Sequence, residues 1–251
     1  MLKKVWITGA SSGIGKALAI KFANEGWQVA ASARRENLLQ DLKKINSNIH
    51  SFPLDVTDKE KAKKIFNEIL QNFKTLDLCV FSTGIHDPES EKVFNTEKIR
   101  EIMETNFFGT LNCISAVNKY FKEKKSGHIS LVSSVAGYRG LPAASGYCAS
   151  KAALSNLAES LYFDFKRYNV RISLISPGFI KTPMTDQNKF PMPMIKSPEF
   201  AAEKMFTGLT KKNVFEIHFP LSFTIIMKLL KIMPNWLYFL LVKKGIRKIK
   251  Y

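Results

Sequence analysis

The sequence is poor in cysteine and in acid. Its three cysteines, Cys79, Cys113 and Cys148, have no C-x-x-C spacing. That argues against a disulfide framework or a cysteine zinc site, and no metal site is expected; a reducing compartment suits such usage. Asp and Glu number 21 against 38 Lys and Arg, a formal net charge of +17. A nucleic-acid partner is the first thought for such an excess, but helix-turn-helix, zinc-finger and RNP-type signatures are absent, so none is expected. The surplus is spread along the chain and peaks at its end: from Lys211 onward nine basic residues face one acid, Glu216. Long apolar runs are missing too. Val5-Trp6-Ile7 is too short for a secretory leader, and residues 223–242 are interrupted by two lysines and a proline, so a spanning helix is not expected. Repeats and low-complexity segments are lacking. What is present, 45% hydrophobic residues in 251, suffices for one large domain or at most two small ones.

Short apolar runs alternate with helical periodicity. Residues 5–8, 29–33, 49–54, 76–81, 128–134, 170–175 and 214–219 read as strands. Helices are expected over 14–24, 36–45, 58–72 (capped by Asp58), 97–122, 147–168 and 197–208. Such alternation specifies an α/β fold: a doubly wound, Rossmann-type, three-layer domain over residues 1–219 with a parallel sheet of about seven strands. Residues 220–251 form an extension. An apolar helix over 221–233 is broken at Pro234-Asn235, then comes an apolar, aromatic run to Val242 and a basic end, 243–251.

Ligands of such folds bind outside the carboxyl ends of the strands, and the chemistry-bearing residues fall there. After the first strand comes Gly9-Ala10-Ser11-Ser12-Gly13-Ile14-Gly15, then a helix. Gly9 permits a tight turn, Gly13 lets the backbone approach a pyrophosphate, and Gly15 lets helix and strand pack closely. The helix N-terminus offers unpaired N–H groups to phosphates. Past the second strand, where a carboxylate would select NAD, stand Ala33, Arg34 and Arg35. Two guanidiniums suit a 2′-phosphate, with Ser11 adding a hydroxyl, so NADP(H) is expected over NAD(H). Tyr147 and Lys151 are four residues apart and share one helix face. An ammonium there would stabilise the phenolate and lower the Tyr147 pKa toward neutrality, as a catalytic acid requires.

With these residues in place, the sequence resembles the short-chain dehydrogenase/reductase family, in its single-domain form, from about Lys3 to Thr182. The glycine loop and the Tyr147/Lys151 pair are its two diagnostic signatures. Ser134 lies thirteen residues before Tyr147, as the family pattern requires. Asn106, in Thr105-Asn106-Phe107-Phe108-Gly109, matches its fourth catalytic position. Asp55-Val56 matches its adenine-binding pair, and Pro177-Gly178-Phe179-Ile180-Lys181-Thr182 its nicotinamide-side motif. One departure stands out: Phe81-Ser82-Thr83-Gly84 replaces the usual Asn-Asn-Ala-Gly, which puts the local hydrogen bonding in question.

The resemblance implies hydride transfer between nicotinamide and a carbonyl or alcohol. Tyr147 would be the acid. Lys151 would hold the ribose, Ser134 would bind the carbonyl oxygen, and Asn106 would hold a relay water. It also implies a homodimer, or a tetramer, through the Tyr147 helix. Residues 138–145 and 184–195 should shape the substrate pocket, and their Met and Phe content suits a hydrophobic or lipid-like substrate. The extension has two readings: peripheral contact with an anionic membrane, or packing over the substrate lid or a subunit interface. The expected protein is a cytoplasmic oxidoreductase. The rivals are a 3-oxoacyl-carrier-protein reductase, since a basic surface suits an acidic carrier, and a non-catalytic nucleotide-sensing or scaffold protein.

Overall fold

The computed structural model describes residues 2–246. Its seven strands are β1 (Lys4–Thr8), β2 (Gln28–Ser32), β3 (Ile49–Ser51), β4 (Leu78–Phe81), β5 (Gly127–Val132), β6 (Val170–Pro177) and β7 (Glu216–Phe219). All pair in parallel, in the order β3-β2-β1-β4-β5-β6-β7. The order reverses between β1 and β4, which opens the crevice that such sheets use for ligands.

Side chains alternate across the sheet. Val5, Ile7, Val29 and Ala31 join one core, with Leu18 and Phe22 of α1 (Gly13–Asn24), Leu39 of α2 (Glu36–Ile45) and Met205 of α7 (Pro198–Lys211). Trp6 and Ala30 face the other way. They meet Phe66 of α3 (Lys59–Phe73), Phe121 of α5 (Gly109–Lys124) and Leu154 of α6 (Ser145–Lys166). The strands are therefore buried on both faces and read as continuous apolar runs. Trp6 is a fully buried indole, and its N–H finds a partner in Ser32 Oγ at 2.9 Å. Asp58 caps α3 by accepting the Lys61 N–H, as its sequence position predicts.

Most ends shift by up to three residues, and two elements differ in kind or length. The third strand is Ile49–Ser51 rather than 49–54: its regular ladder ends before Pro53, although Phe52 and Leu54 still donate to Ala31 and Ala33. The long helix over 97–122 is not one helix. It is α4 (Thr96–Met103), a π-helical turn (Glu104–Phe108) and α5. The wider turn carries Asn106, which is fully buried. Its Oδ1 accepts the Ile85 N–H at 2.7 Å, and its Nδ2 donates to Ile85 O and Ser150 Oγ, both at 3.0 Å. π-turns within helices are frequent at functional sites, and this one faces the loop after β4.

The extension forms α8 (Leu221–Ile232) and α9 (Asn235–Ile246), parted at Pro234 as expected. Residues of the basic end beyond Ile246 lie outside the described residues. Arg139, from the loop between β5 and α6, donates to the carbonyls of Leu230 (2.9 Å), Lys231 (3.2 Å) and Met233 (2.5 Å), and to the Asn235 side chain. It also lies over the Tyr238 ring, whose hydroxyl donates to Gly140 O. Lys228 of α8 pairs with Glu216 at 2.6 Å. The extension thus packs on residues 138–140, within the loop expected to shape the substrate pocket.

Candidate active site

A cleft of about 450 Å³ opens at the carboxyl ends of β1, β2, β4, β5 and β6. The catalytic and cofactor candidates singled out from the sequence line it except Asn106, which lies behind Gly84; of the stretches expected to shape the substrate pocket, 184–195 contributes Met184, Thr185 and Gln187, and 138–145 contributes no lining residue. At one end is the glycine loop. Gly9 has φ +69°, and a Cβ on Gly15 would meet Gly9 O at 2.3 Å, so the loop is compact enough for α1 to start against it. Ser12, the α1 N-cap, makes no capping bond; the first N–H groups of the helix stay open toward the cleft. Instead, the hydroxyls of Ser11 and Ser12 each accept from Arg35 Nη2 at 2.8 Å. Arg34 lines the same end. A Cβ on Gly13 would press on Thr182 Cγ2 at 3.0 Å, which places the Pro177–Thr182 motif directly across from the loop.

Asp55 and Val56 line the cleft beyond β3. Asp55 Oδ1 accepts from the Thr57 N–H and hydroxyl (3.0 and 2.8 Å), which fixes the carboxylate. In the atypical Ser82-Thr83-Gly84 run the backbone is held by Thr8 Oγ1, which accepts from Ser82 N at 3.1 Å and Thr83 N at 3.4 Å. The buried Thr83 hydroxyl has no partner within the protein although it belongs to a cleft-lining residue. The open helix N-terminus, the held Arg35 and this orphan hydroxyl fit a nicotinamide dinucleotide.

At the far end Ser134, Tyr147 and Lys151 converge. Tyr147 sits in the first turn of α6 and lines the cleft with Ser134, whose hydroxyl accepts the Ala136 N–H at 3.1 Å. Lys151, one turn on, is 3% exposed and donates to Val132 O at 2.9 Å. A Cβ on Gly84 would come within 3.2 Å of its Nζ, so the glycine leaves room for the ammonium. One expectation needs correction. Lys151 does not bring the phenol toward neutrality here. Its Nζ is 5.7 Å from the Tyr147 ring centre, and burial dominates and pushes the phenol up to about 12. Burial likewise pulls Lys151 down to about 8. Asn106 reaches the loop after β4 and α6 through its side-chain amide, which bonds Ile85 and Ser150.

Sequence reasoning missed two residues. His86 lines the cleft and stacks on Tyr147, with ring centres 4.4 Å apart. Glu91 holds the N-terminus of α6, accepting the Gly146 N–H at 2.6 Å. His86 follows Gly84 at the end of β4, a position that could have flagged it; Glu91 carries no sequence signal. The apolar wall is legible in part. Met184 lines the cleft, and Phe179 packs with Phe190 of the 184–195 loop and with Phe223 of α8.

Comparison with known proteins agrees with this geometry. The sequence pattern of the short chain dehydrogenase family matches residues 3–191. An uncharacterized oxidoreductase of Myxococcus xanthus is 36% identical over 236 residues, covering 92% of this chain and 93% of its own. The 3-oxoacyl-[acyl-carrier-protein] reductase of Thermotoga maritima is 32% identical over 185 residues, covering 72% and 75%. A short chain dehydrogenase from Burkholderia cenocepacia, solved in complex with NADP, superposes with a TM-score of 0.82 at 25% identity, covering 96% and 97%.

Proposed function

This chain belongs to the short-chain dehydrogenase family, and from that membership we propose that it is an NADP(H)-dependent oxidoreductase moving hydride between nicotinamide and the carbonyl or alcohol carbon of a hydrophobic, lipid-like substrate. The observation that carries this reading is one cleft with Arg35 held by Ser11 and Ser12 at one end and Ser134, Tyr147 and Lys151 gathered at the other.

The glycine loop and the α1 N-terminus would hold the pyrophosphate, Arg34 and Arg35 the 2′-phosphate, and Asp55 and Val56 the adenine. Ser82, Thr83, Gly84 and Lys151 would hold the nicotinamide ribose, and Pro177, Gly178, Ile180 and Thr182 the nicotinamide side. The chemistry a bound nicotinamide supplies is hydride donation or acceptance. Ser134 Oγ binds the carbonyl oxygen and stabilises the charge that develops there. Tyr147 gives its phenolic proton to that oxygen. A phenol raised by burial keeps this proton until a strong base, the nascent alkoxide, forms beside it. Lys151, still protonated at neutral pH, stabilises the phenolate left behind. The packed Asn106 amide anchors the loop carrying Gly84 against α6.

Met184 and the Phe179, Phe190 and Phe223 cluster favour an apolar substrate. The exposed apolar residues of α8 and α9 favour peripheral contact with an anionic membrane by a cytoplasmic protein. Exposed Tyr162 and Phe163 on α6 favour a homodimer. A 3-oxoacyl-carrier-protein reductase is the second reading, supported by the Thermotoga relative. Its match covers 72% of the chain against 92% for the Myxococcus oxidoreductase, so it accounts for less of the extension.

The test is NADPH oxidation against long-chain and sterol ketones in micelles, a carrier-bound 3-oxoacyl thioester and small soluble ketones, with NADH in parallel. Tyr147→Phe should abolish turnover and leave NADPH binding intact. Turnover confined to micellar ketones supports the lipid reading, and turnover on the thioester alone replaces it with the second. Retained activity in Tyr147→Phe would remove the phenol from the acid role.

A further inference from the structure

His86 and Glu91 are built around the phenol. The His86 imidazole lies over the Tyr147 ring at 4.4 Å, with planes 28° from parallel. The Glu91 side chain is 1% exposed, and its Oε2 accepts the N–H groups of Gly146 (2.6 Å) and Tyr147 (3.3 Å). One carboxylate therefore fixes the first turn of α6, where N–H groups lack helical partners and favour negative charge. The other oxygen, Oε1, lies 3.4 Å from His86 Nε2, and neither atom has a hydrogen-bond partner. Buried polar atoms left this way are costly. A single proton between them satisfies both.

We propose that His86 and Glu91 are positioning residues for Tyr147, sharing one proton between Nε2 and Oε1 that locks the imidazole over the phenol ring. This rests on the reading of Tyr147 as the acid. Burial drives His86 and Glu91 each toward its neutral form, His86 down and Glu91 up. The pair therefore holds one proton in all, on either atom, and is neutral overall while it does. When that proton leaves, a carboxylate remains against the phenol and disfavours the phenolate, as the Glu91 charge does. The wild-type rate should then fall as the pair deprotonates.

The surrounding charges are few. Asp87 lies on the same loop and is paired with Lys98 of α4 at 3.7 Å. Tyr147, Cys148 and, one turn on, Lys151 come from α6. Asp87 acts on both members of the pair, favouring proton binding.

The test uses the full chain and two readouts. The sequence has four histidines, so imidazole NMR signals resolve, and His86→Phe identifies the His86 signal by its loss. Glu91→Gln keeps an oxygen for the helix cap but cannot carry charge; the His86 midpoint should move to lower pH in it. The second readout is the pH profile of kcat on whichever carbonyl compound turns over. Wild type should show a step that both variants lack, with kcat reduced roughly tenfold and KM little changed. A merely structural role would scale the rate equally at every pH and preserve the step, which would overturn the proposal. So would a His86 midpoint indifferent to Glu91→Gln. His86→Phe leaves the cap intact, so its kcat profile still decides if Glu91→Gln weakens the fold. If no compound turns over, the NMR titration judges the pair independently of the oxidoreductase reading.

Discussion

Arg35, proposed to meet the 2′-phosphate, is held in place by two serines. A free arginine must give up rotamer freedom on binding. Here Ser11 and Ser12 already hold Nη2, and the remaining donors of the guanidinium fork are available. Arg35→Ala should weaken NADPH binding about ten- to a hundredfold, the worth of a charge-assisted hydrogen bond or two at roughly 1.5–3 kcal/mol. NADH, lacking the 2′-phosphate, should bind nearly as before. Fluorescence titration of both cofactors checks it; equal losses for the two would mean Arg35 supports the loop rather than the phosphate. Residues of this kind were legible because their chemistry is local: glycines at fixed spacing, two arginines where an acid would otherwise stand, Tyr147 and Lys151 one turn apart. His86 and Glu91 were not. Glu91 meets the Gly146 and Tyr147 N–H groups from more than fifty positions away, and a ring face and a backbone donor leave no spacing rule to read.

Among the elements, every strand was visible in the apolar runs because the sheet buries both faces. The π-turn at Glu104–Phe108 was not, since helical periodicity continues on either side and only the tertiary contacts of Asn106 reveal the wider turn. The α8–α9 pair was visible as helices broken at Pro234, but its resting place was not, because contacts between residues far apart in the sequence hold it, those of Arg139 with Leu230 and Met233 and of Lys228 with Glu216 among them. Arg139 accepts the role of a C-cap from outside the helix: it satisfies the last α8 carbonyls, the groups a helix cannot pair itself. Arg139→Ala should cost about 1–2 kcal/mol, given its partial exposure, and lower Tm by a few degrees. Amide exchange should quicken over residues 221–246 and stay unchanged in β1 and β4. Uniform quickening would show that the extension is part of the cooperative core rather than clamped onto it.

For the whole molecule, the distribution of charge and apolar surface matters more than the total of +17. After Glu216 the sequence contains no acid. In that same region α8 and α9 expose Leu221, Ile225, Leu229, Ile232, Trp236, Phe239 and Leu240, with Ile232 80% and Trp236 70% accessible. Leu221, Ile225 and Ile232 share one face of α8, and Trp236, Leu240 and the exposed Lys243 share one face of α9. A second copy docked there would bring like charges together, whereas an anionic bilayer offers both an apolar interior and opposite charge, worth roughly 1 kcal/mol per basic residue near the surface. Among the described residues no helix is long and apolar enough to cross a membrane, so the contact proposed is along the surface. The protein should sediment with phosphatidylserine-containing vesicles, bind neutral phosphatidylcholine vesicles much less, and dissociate as salt screens the lysines. Because both side chains are exposed, Ile232→Asp with Trp236→Asp should leave the fold and NADPH binding intact while abolishing sedimentation. If the double variant instead binds vesicles as wild type does and a concentration-dependent dimer breaks, the face belongs to a subunit contact and the membrane reading falls. Since Arg139 ties the same two helices to the loop beside Tyr147, docking in this way would hold the substrate side of the cleft close to the bilayer, where a lipid-like carbonyl is most concentrated.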